Sequence, residues 1–515
     1  MSYSTHLCLL LTTLLTPRAE QAPDAPSPAP EGPDLADVAQ TALQQALDLV
    51  TSFRQQPIAP ARTHLLEQQL QEQLRELGRV LLQWTYNHLE PAGVNDLSKH
   101  VHFEAGPYTR LNKKTPQNVW TVFGQVRLWR VGYRPTDKGG DPALFPLTLG
   151  LGLIHGASPA LADRAARLLA QAGMTQQRAL RCLQQDHGVG WGVKKLRQVT
   201  EAVARALAEQ RHDAQVKKLL ELLAQAAASR GRHKPVLSVG RDGITLGVRF
   251  KGGSLYEVAT TATVTVLDRR GQRLGTIYLA YIPESGQATL SKELTRLLRE
   301  VLARWQGALP RLCYVSDAGD NETSYYEKIL SRMKHPRTAE RLDWIRVVDY
   351  YHASERIWTM AELLFGTGPR AVSWARKMQK WLLKPGGVNR VLHSAAAFRD
   401  RYELTGKKRK EFRKAYHYLR KRMKSMRYAE YRRVGVPLGS GVTEAACKTI
   451  YTQRLKLSGM RWKKAGAQTV LNLRLVHLSG VWEEAYQGVL NGFTEAKVQG
   501  QEGSRENTVE SACPL

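Results

Sequence analysis

The sequence predicts an α/β protein in which a mixed-sheet core follows a mainly helical N-terminal region with a small β-hairpin. Apolar residues recur at helical spacing between residues 63 and 88, which indicates a helix. β-Branched and aromatic residues cluster between 236 and 282 in runs that indicate a meander of strands. Beyond residue 282, helical and strand patterns alternate. A meander followed by such alternation is typical of a mixed sheet.

Shifts in composition divide the chain into eight expected segments. The pattern over Val119–Val131 predicts a β-hairpin with its turn at Phe123-Gly124, and the run Arg230–Pro235 is expected to break a long helix. The expected segments are a disordered leader (1–33), a helical region (34–90), a small β element (91–146), a helix-turn-helix-like region (147–229), the first part of the mixed-sheet core (230–366), a basic helical insertion (367–437), a helix carrying Glu444 with the C-terminal helices of the core (438–494) and a disordered tail (495–515).

The charge balance indicates a polyanionic partner. The 515 residues carry a formal net charge of +29 with a pI near 10.0. Clustered Lys and Arg gain affinity by releasing counterions from phosphates, which favours nucleic acid. The five cysteines show no CxxC spacing, which argues against a zinc ribbon and a disulfide framework. The same cysteine usage fits a reducing setting, so we expect a cytoplasmic, nucleoid-associated protein. The short apolar run at residues 7–15 could be the core of a signal peptide, but no Lys or Arg precedes it and no clean cleavage site follows. It is too short to span a bilayer, and we expect no membrane partner.

Two aspartates are expected where strands end. Asp242 follows the apolar run 236–241 and precedes a glycine, and Asp317 follows the run 312–316. Ligands gather just beyond such strand ends in α/β sheets. Taken alone, Asp242 fits a turn as well as a site. Asp320 fits either a rival ligand or the cap of the next helix.

Two more acids lie further along the chain. Asp349 ends the next expected strand and rivals Asp317 as a ligand, with His352 on the first turn of the following helix. Glu444 begins a helix after the glycine-rich turn 439–441, where the helix dipole also favours a carboxylate. Cations surround Glu444, which suggests an acid that holds a metal ion while its neighbours hold a polyanion.

Cations that could contact DNA occur around Glu444 and in two further places. A short glycine-rich link precedes a helix that opens with lysines and an arginine, as in a helix-turn-helix. The basic insertion interleaves its cations with tyrosines, which favours contact with phosphates. Solvated charges on ordinary helices are the alternative for both. The expected DNA-contacting residues are Lys194, Lys195, Arg197, Lys408, Arg409, Lys410, Arg413, Lys448, Arg454, Lys456, Arg461 and Trp462.

Three carboxylates at one sheet edge suit phosphodiester chemistry. Cleavage needs a strong nucleophile and relief of charge on phosphorus, and two divalent ions about 4 Å apart supply both. Mg²⁺ prefers oxygen ligands, so carboxylates are its natural cage. We therefore expect two Mg²⁺ (or Mn²⁺) ions. The expected catalytic and metal-binding residues are Asp242, Asp317 and Glu444, with Asp349, His352 and Asp320 as accessory groups.

Residues 439–462 resemble the glutamate motif of bacterial insertion-sequence transposases of the ISKra type, a Mutator-like branch of the DDE group. Asp349–Ala353 resembles the family's Asp-x-Tyr-His-Ala segment, and Asp242-Gly243 and Ser316-Asp317 resemble its first two aspartates. The matching residues of the glutamate motif are Gly439, Ser440, Gly441, Glu444, Ala445, Cys447, Lys448, Gln453, Arg454, Lys456, Gly459, Met460, Arg461 and Trp462.

The resemblance covers roughly residues 110–490. It implies an RNase H-like core with a helical insertion, and it carries the catalytic carboxylates over to Asp242, Asp317 and Glu444. It implies metal-dependent cleavage and strand transfer on double-stranded DNA, both element ends and target, by a homodimer or larger assembly. A structure-specific nuclease with the same core, and a non-catalytic DNA-binding regulator derived from a transposase, are the alternatives.

Overall fold

The computed structural model describes residues 35–103, 106–136, 143–250 and 252–492, and the expected leader and tail lie outside these ranges. The chain forms two compact units. The first contains Met1–Leu169, Met174–Leu207 and Tyr486–Leu515, and the second contains Ala170–Gly173 and Ala208–Ala485. Within the described ranges, no helix combines the length and apolar character needed to cross a membrane.

The first unit begins with two long helices and two small antiparallel sheets. Pro60 fits the first turn of its helix because its missing N–H would have no partner there. Strands β1, β2 and β5 form one sheet, and the hairpin β3–β4 forms the other. The hairpin is as predicted, except that its turn falls at residues 122–123. The elements are α1 (Leu35–Arg54), α2 (Pro60–His88), β1 (His100–Phe103), β2 (Gly106–Arg110), β3 (Thr115–Thr121), β4 (Gly124–Arg130) and β5 (Tyr133–Pro135).

Helices complete the first unit. The helix Gln176–His187 is capped at its start by the Thr175 hydroxyl, which accepts the N–H of Arg178. At its other end, Gly188 adopts the left-handed conformation (φ 64°). Residues 482–492 are also helical. The labelled helices are α3 (Pro146–Gly150), α4 (Pro159–Ala170), α5 (Gln176–His187) and α6 (Val193–Ala228), the last of which continues into the second unit.

A mixed sheet forms the centre of the second unit. Its order is β10–β9–β6–β7–β8, in which β6, β7 and β8 are antiparallel and β6, β9 and β10 are parallel. The short strand β11 pairs with the outer half of β6. The elements are β6 (Val236–Phe250), β7 (Gly253–Leu267), β8 (Arg273–Tyr281), α7 (Ala288–Arg304), β9 (Arg311–Ser316), α8 (Asp320–Lys328), β10 (Trp344–Val348) and, after a run of helices, β11 (Trp462–Lys463).

The helices after β10 form an apolar layer of their own. Met360, Trp374, Val391 and Phe412 come from four successive helices and are buried in one cluster with Val347 of the sheet. This burial is the main force that holds the insertion together. The helices are α9 (Tyr350–Phe365), α10 (Pro369–Leu382), α11 (Gly387–Arg401), α12 (Gly406–Arg422), α13 (Tyr428–Val434), α14 (Gly441–Cys447), which continues as a π-helical turn (Lys448–Thr452), and α15 (Lys464–Leu478).

Helix α14 packs directly on the middle of the sheet. Its Thr443 hydroxyl lies 2.7 Å from the Thr263 hydroxyl of β7. A Cβ atom at Gly240 of β6 would lie 2.0 Å from Thr443 Oγ1, so only glycine lets the helix approach this closely. The buried Arg474 donates to the carbonyls of Thr449 and Ile450, so these two carbonyl groups of the π-helical turn have hydrogen-bond partners.

We predict that Gly240→Ala destabilises the second unit by about 1–3 kcal/mol, because the added methyl group forces α14 off the sheet. Chemical denaturation measures the change. The matched control is Gly247→Ala in the same strand, where an added Cβ meets its nearest neighbour at an ordinary 3.6 Å. Equal stabilities of the two variants would contradict the packing argument.

Candidate active site

The register of the parallel strands places three aspartates side by side. Gly240 of β6 lies opposite Val315 of β9 in the last pair of their ladder, so Asp242 lies two residues further along β6 and Asp317 is the first residue after β9. Ser316 lies opposite Val348 of β10, and the N–H of Asp349 donates to the Ser316 carbonyl at 2.9 Å. All three aspartates therefore occupy one level of the sheet.

Asp242 lies inside β6, opposite Thr261 of β7, and not at the strand end that we predicted. The Asp-Gly pair looked like a turn, but the ladder with β7 continues through it. Burial raises the pKa of the Asp242 carboxyl, and the charges of Asp317 and Glu444 raise it further. The Cys447 thiol lies 3.5 Å from Asp242 Oδ2. Three carboxylates thus act on one another at this point.

Asp317 begins a tight turn that the insertion holds in place. Ala318 has a φ of 61°, which is uncommon for a residue with a side chain, and the N–H of Gly319 donates to Asp317 Oδ1 at 2.9 Å. From α12, the Tyr418 hydroxyl donates to the Asp317 carbonyl at 2.7 Å, and Arg422 donates to the Ala318 carbonyl at 2.8 Å. Contacts from α12 therefore fix the backbone that carries Asp317.

Asp320 stands outside this turn. It is the first residue of α8 and is exposed, and the cap position belongs to Gly319. The expectation that Asp320 caps the helix was wrong, because the helix starts two residues earlier than the sequence suggested.

Asp349 is fully buried and has all its acceptor positions occupied. Its Oδ1 accepts the N–H groups of Tyr351 (2.6 Å) and His352 (3.0 Å), which caps α9. Its Oδ2 accepts both the N–H of Ser440 and the Ser440 hydroxyl, the latter at 2.6 Å. A carboxylate with this many protein donors is a poor metal ligand, and the geometry gives Asp349 a positioning role.

Ser440 connects Asp349 to Glu444. Its hydroxyl oxygen lies 2.8 Å from Glu444 Oε1 as well as 2.6 Å from Asp349 Oδ2. The sequence suggested Ser440 or Thr443 as a cap for α14. Ser440 holds the cap position, but its hydroxyl makes no capping bond and lies between the two carboxylates, to one of which at a time it can donate its single proton. Glu444 is thereby held near the row of aspartates.

His352 completes this group with a positive charge. Its Nδ1 lies 3.6 Å from Asp349 Oδ1 and 3.8 Å from Glu444 Oε1. The neighbouring Asp349 carboxylate raises the pKa of His352 to about 9. Burial would raise the pKa of Asp349, but His352 and the Ser440 donors outweigh it and bring that pKa to about 2. The spacing of Asp349, His352 and Glu444 could hold a metal ion. The oxygens of Asp349 already accept several protein donors, while the ligand atoms of the predicted set Asp242, Asp317 and Glu444 do not all lie within 4.8 Å of one another among the described residues.

A further buried acid, Glu322, lies close enough to Asp317 and Asp242 for their charges to act on it. Burial raises its pKa, and the charges of Asp317 and Asp242 raise it while Arg241 lowers it. Arg241 is itself buried and donates to Gln287 at 2.6 Å. Sequence reasoning missed this residue, since Glu322 looked like an ordinary first-turn acid of α8.

The predicted DNA contacts separate into exposed and buried groups. Arg454 is completely buried, so its assignment to DNA contact was wrong. The Trp462 indole donates to the Leu455 carbonyl at 2.8 Å and packs on a core cluster. Lys195 donates to the His155 carbonyl and Arg197 to Gln176, so both have protein partners. The exposed members are Lys194, Arg197, Lys408, Arg409, Lys410, Arg413, Lys448, Lys456 and Arg461.

The tyrosines of the basic segment pack on the protein. The hydroxyls of Tyr428 and Tyr431 donate to the carbonyls of Val348 and Arg346 in β10, and both rings are buried. These two rings therefore pack inside the protein.

The comparisons with known proteins identify one distant relative and no family. No family model matches the chain. The chain is 25% identical over 381 residues to a Streptococcus gallolyticus protein described as "UPF0236 protein in vanSb 3'region", and the match covers 72% of this chain and 74% of the relative.

We predict that His352 contributes stability that is present below pH 6.5 and lost as the pH rises through about 9, because its folded pKa is raised. The difference in unfolding free energy between the wild type and His352→Gln, measured in EDTA, should amount to about 1–2 kcal/mol at pH 6 and vanish near pH 10. Asp349 acts with the opposite sign: its contribution is lost as the pH falls from about 4 towards 2. A difference that is independent of pH would contradict the ion pair.

Proposed function

We propose that this protein is a DNA transposase of the DDE group that cleaves and joins DNA at the ends of an insertion sequence, using Mg²⁺ or Mn²⁺. The observation that carries the proposal is that Asp242 and Asp317 follow neighbouring parallel strands and that the charges of Asp317 and Glu444 both act on Asp242. Among the described residues, no lysine or arginine forms an ion pair with these three carboxylates, and His352, 3.8 Å from Glu444 Oε1, is the one basic side chain at ion-pair distance. Because no lysine or arginine neutralises these carboxylates, their negative charge is available to bind a cation.

The sheet supports an RNase H-like core. A three-stranded antiparallel meander is extended on the side of its first strand by two parallel strands, and a long helical insertion separates β10 from α14. This is the arrangement that the resemblance to the ISKra-type transposases implies. The distant relative spans most of the same chain, and its printed name says nothing about activity.

The donor set fits divalent cations with oxygen ligands. Asp242 Oδ2 has only a thiol as a neighbour, and Asp317 uses one oxygen for the Gly319 N–H. Burial, and to a smaller extent the charges of Asp317 and Glu444, raise the pKa of Asp242, and a bound cation would favour its charged form. When bound, two such ions supply an activated nucleophile and relieve charge on the scissile phosphate.

The remaining residues orient these donors. Asp349 and Ser440 hold Glu444 at the start of α14, and Tyr418 and Arg422 hold the turn after Asp317. The Gly240 contact sets how close α14 comes to the sheet. Each carboxylate therefore reaches the site from a rigid element, as phosphoryl-transfer geometry requires.

The exposed cations mark the DNA surface. Helix α12 presents Lys408, Arg409, Lys410 and Arg413 to solvent, and its other end contacts the Asp317 turn. A duplex bound along α12 would thus lead to the carboxylates. Joining two element ends requires at least two copies, so we propose a dimer or larger assembly on DNA, and the net charge of +29 suits a nucleoid-associated, cytoplasmic protein.

We predict that Asp242→Asn, Asp317→Asn and Glu444→Gln each lower Mg²⁺-dependent cleavage of the element ends at least about a hundredfold, the scale of losing one group that stabilises developing charge. The matched control is Asp320→Asn, three residues from Asp317 and exposed, which should cleave normally. Loss of activity in Asp320→Asn with retention in Asp317→Asn would overturn the assignment. A donor that is pre-cut to leave a 3′-hydroxyl separates the alternatives: a nuclease forms no joined product, and a regulator keeps its activity in Glu444→Gln.

We also predict that Lys410→Ala reduces by about one the slope of log binding constant against log salt for duplex DNA, since one phosphate contact is lost. Fluorescence anisotropy over a salt series measures the slope. Lys217→Ala is the control, because Glu484 lies 2.8 Å away and already neutralises that lysine. An unchanged slope in Lys410→Ala would exclude phosphate contact at this position.

A further inference from the structure

Two arginines share one tyrosine ring beside the carboxylates. The guanidinium carbon of Arg422, from α12, lies 4.3 Å from the centroid of the Tyr418 ring, and that of Arg356, from α9, lies 5.1 Å from it. An aromatic face attracts guanidinium groups, and an arginine can stack on it without losing its hydrogen-bond donors. The ring thus holds two positive charges close together.

These arginines lie next to the site. The Tyr418 hydroxyl donates to the carbonyl of Asp317 at 2.7 Å. Arg356 follows His352 by four residues on α9, so the two side chains lie on the same face of that helix. Burial raises the pKa of Tyr418 to about 12, and the charges of Arg422, Asp317, Arg356 and Asp349 all act on its hydroxyl.

Neither guanidinium is neutralised. In the described ranges of the chain, neither Arg356 nor Arg422 forms an ion pair with a carboxylate, although Asp317 and Asp349 are near. The Nε of Arg356 is buried and has no hydrogen-bond partner among those residues. Arg422 uses one N–H on the Ala318 carbonyl, and the guanidinium has five donors. A buried donor without a partner costs free energy. The Arg356 side chain as a whole is only partly buried, so acceptor oxygens of a ligand have access to other parts of it.

We propose that Arg356 and Arg422 bind the backbone phosphate next to the scissile one. The proposal rests on the proposed function, because the metal-bearing carboxylates place the scissile phosphate beside this pair. A phosphodiester offers two charged oxygens that match the guanidinium fork, and its charge offsets the repulsion between the two arginines. The two arginines would fix the position of the DNA strand along the site, so that the scissile phosphate lies over Asp242, Asp317 and Glu444.

The test couples a protein change to a DNA change. Duplex oligonucleotides carrying the terminal repeat of the element are made with a single neutral methylphosphonate at each phosphate around the cleavage position. Binding is measured with Ca²⁺ in place of Mg²⁺. In the wild type, neutralising one phosphate adjacent to the cleavage position should weaken binding about tenfold. In Arg356→Met, binding to the unmodified duplex should be weaker by a similar factor, and the same methylphosphonate should cause no further loss.

The control is Arg370→Met. Arg370 is exposed on α10 and lies over the rings of Phe365 and Tyr402 at 5.2 and 5.6 Å, so it makes the same type of contact away from the carboxylates. It should bind like the wild type and keep the full methylphosphonate effect. Arg356→Lys keeps the charge without the fork, and its affinity for DNA should fall between those of the wild type and Arg356→Met. Such an intermediate affinity would show that the loss in Arg356→Met does not come from misfolding.

The outcomes separate the two proposals. A scan in which no phosphate is coupled to Arg356, or in which the losses simply add, overturns the phosphate site whether or not the DNA is cut. If coupling is absent while the wild type still cleaves and joins element ends with Mg²⁺, the proposed function stands alone. If the wild type neither cleaves nor joins those ends, the proposed function fails, and coupling at a phosphate elsewhere in the scan would overturn the assignment to the scissile neighbour.

Discussion

The buried carboxylate of Asp349 is the constraint on which the rest of the site depends. Withdrawing an isolated carboxylate from water costs many kcal/mol unless each oxygen finds a donor. Asp349 meets this requirement by accepting from the first turn of α9 and from Ser440, which precedes α14. One side chain therefore fixes the start of two helices relative to β10. The position of Glu444 follows from that, because the Ser440 hydroxyl reaches both acids.

Helix α12 has two roles that lie on different faces. One face presents cations to solvent, and another supplies Tyr418 and Arg422, which hold the turn at Ala318. A left-handed residue with a side chain costs about 1–2 kcal/mol and persists only where its surroundings determine it. The insertion therefore does more than present cations to solvent, since the backbone that presents Asp317 depends on it.

The sequence predicted most helices and strands of the second unit because their apolar periodicity is strong, but it misplaced features that depend on tertiary contacts. Asp242-Gly243 has the composition of a turn, and only pairing with β7 keeps it in a strand. Arg454 sits among exposed cations in the sequence, yet it is buried. The roles of Ser440 and Tyr418 involve partners 91 and 101 residues away, a distance at which local pattern carries no information.

Two sets of charges lie close together in this site without neutralising each other. Asp242 and Asp317 form no ion pair with lysine or arginine among the described residues, and Arg356 and Arg422 lie over a tyrosine ring instead of bonding to those acids. Stability alone would favour direct pairing or apolar replacement, because half-buried unpaired charges cost free energy. The backbone contacts of Arg422 and the hydrogen bonds of Asp349 keep the two signs apart. The proposed substrate, a nucleic acid backbone with its bound cations, would carry charges complementary to both sets, whereas a ligand of a single sign would leave one set uncompensated.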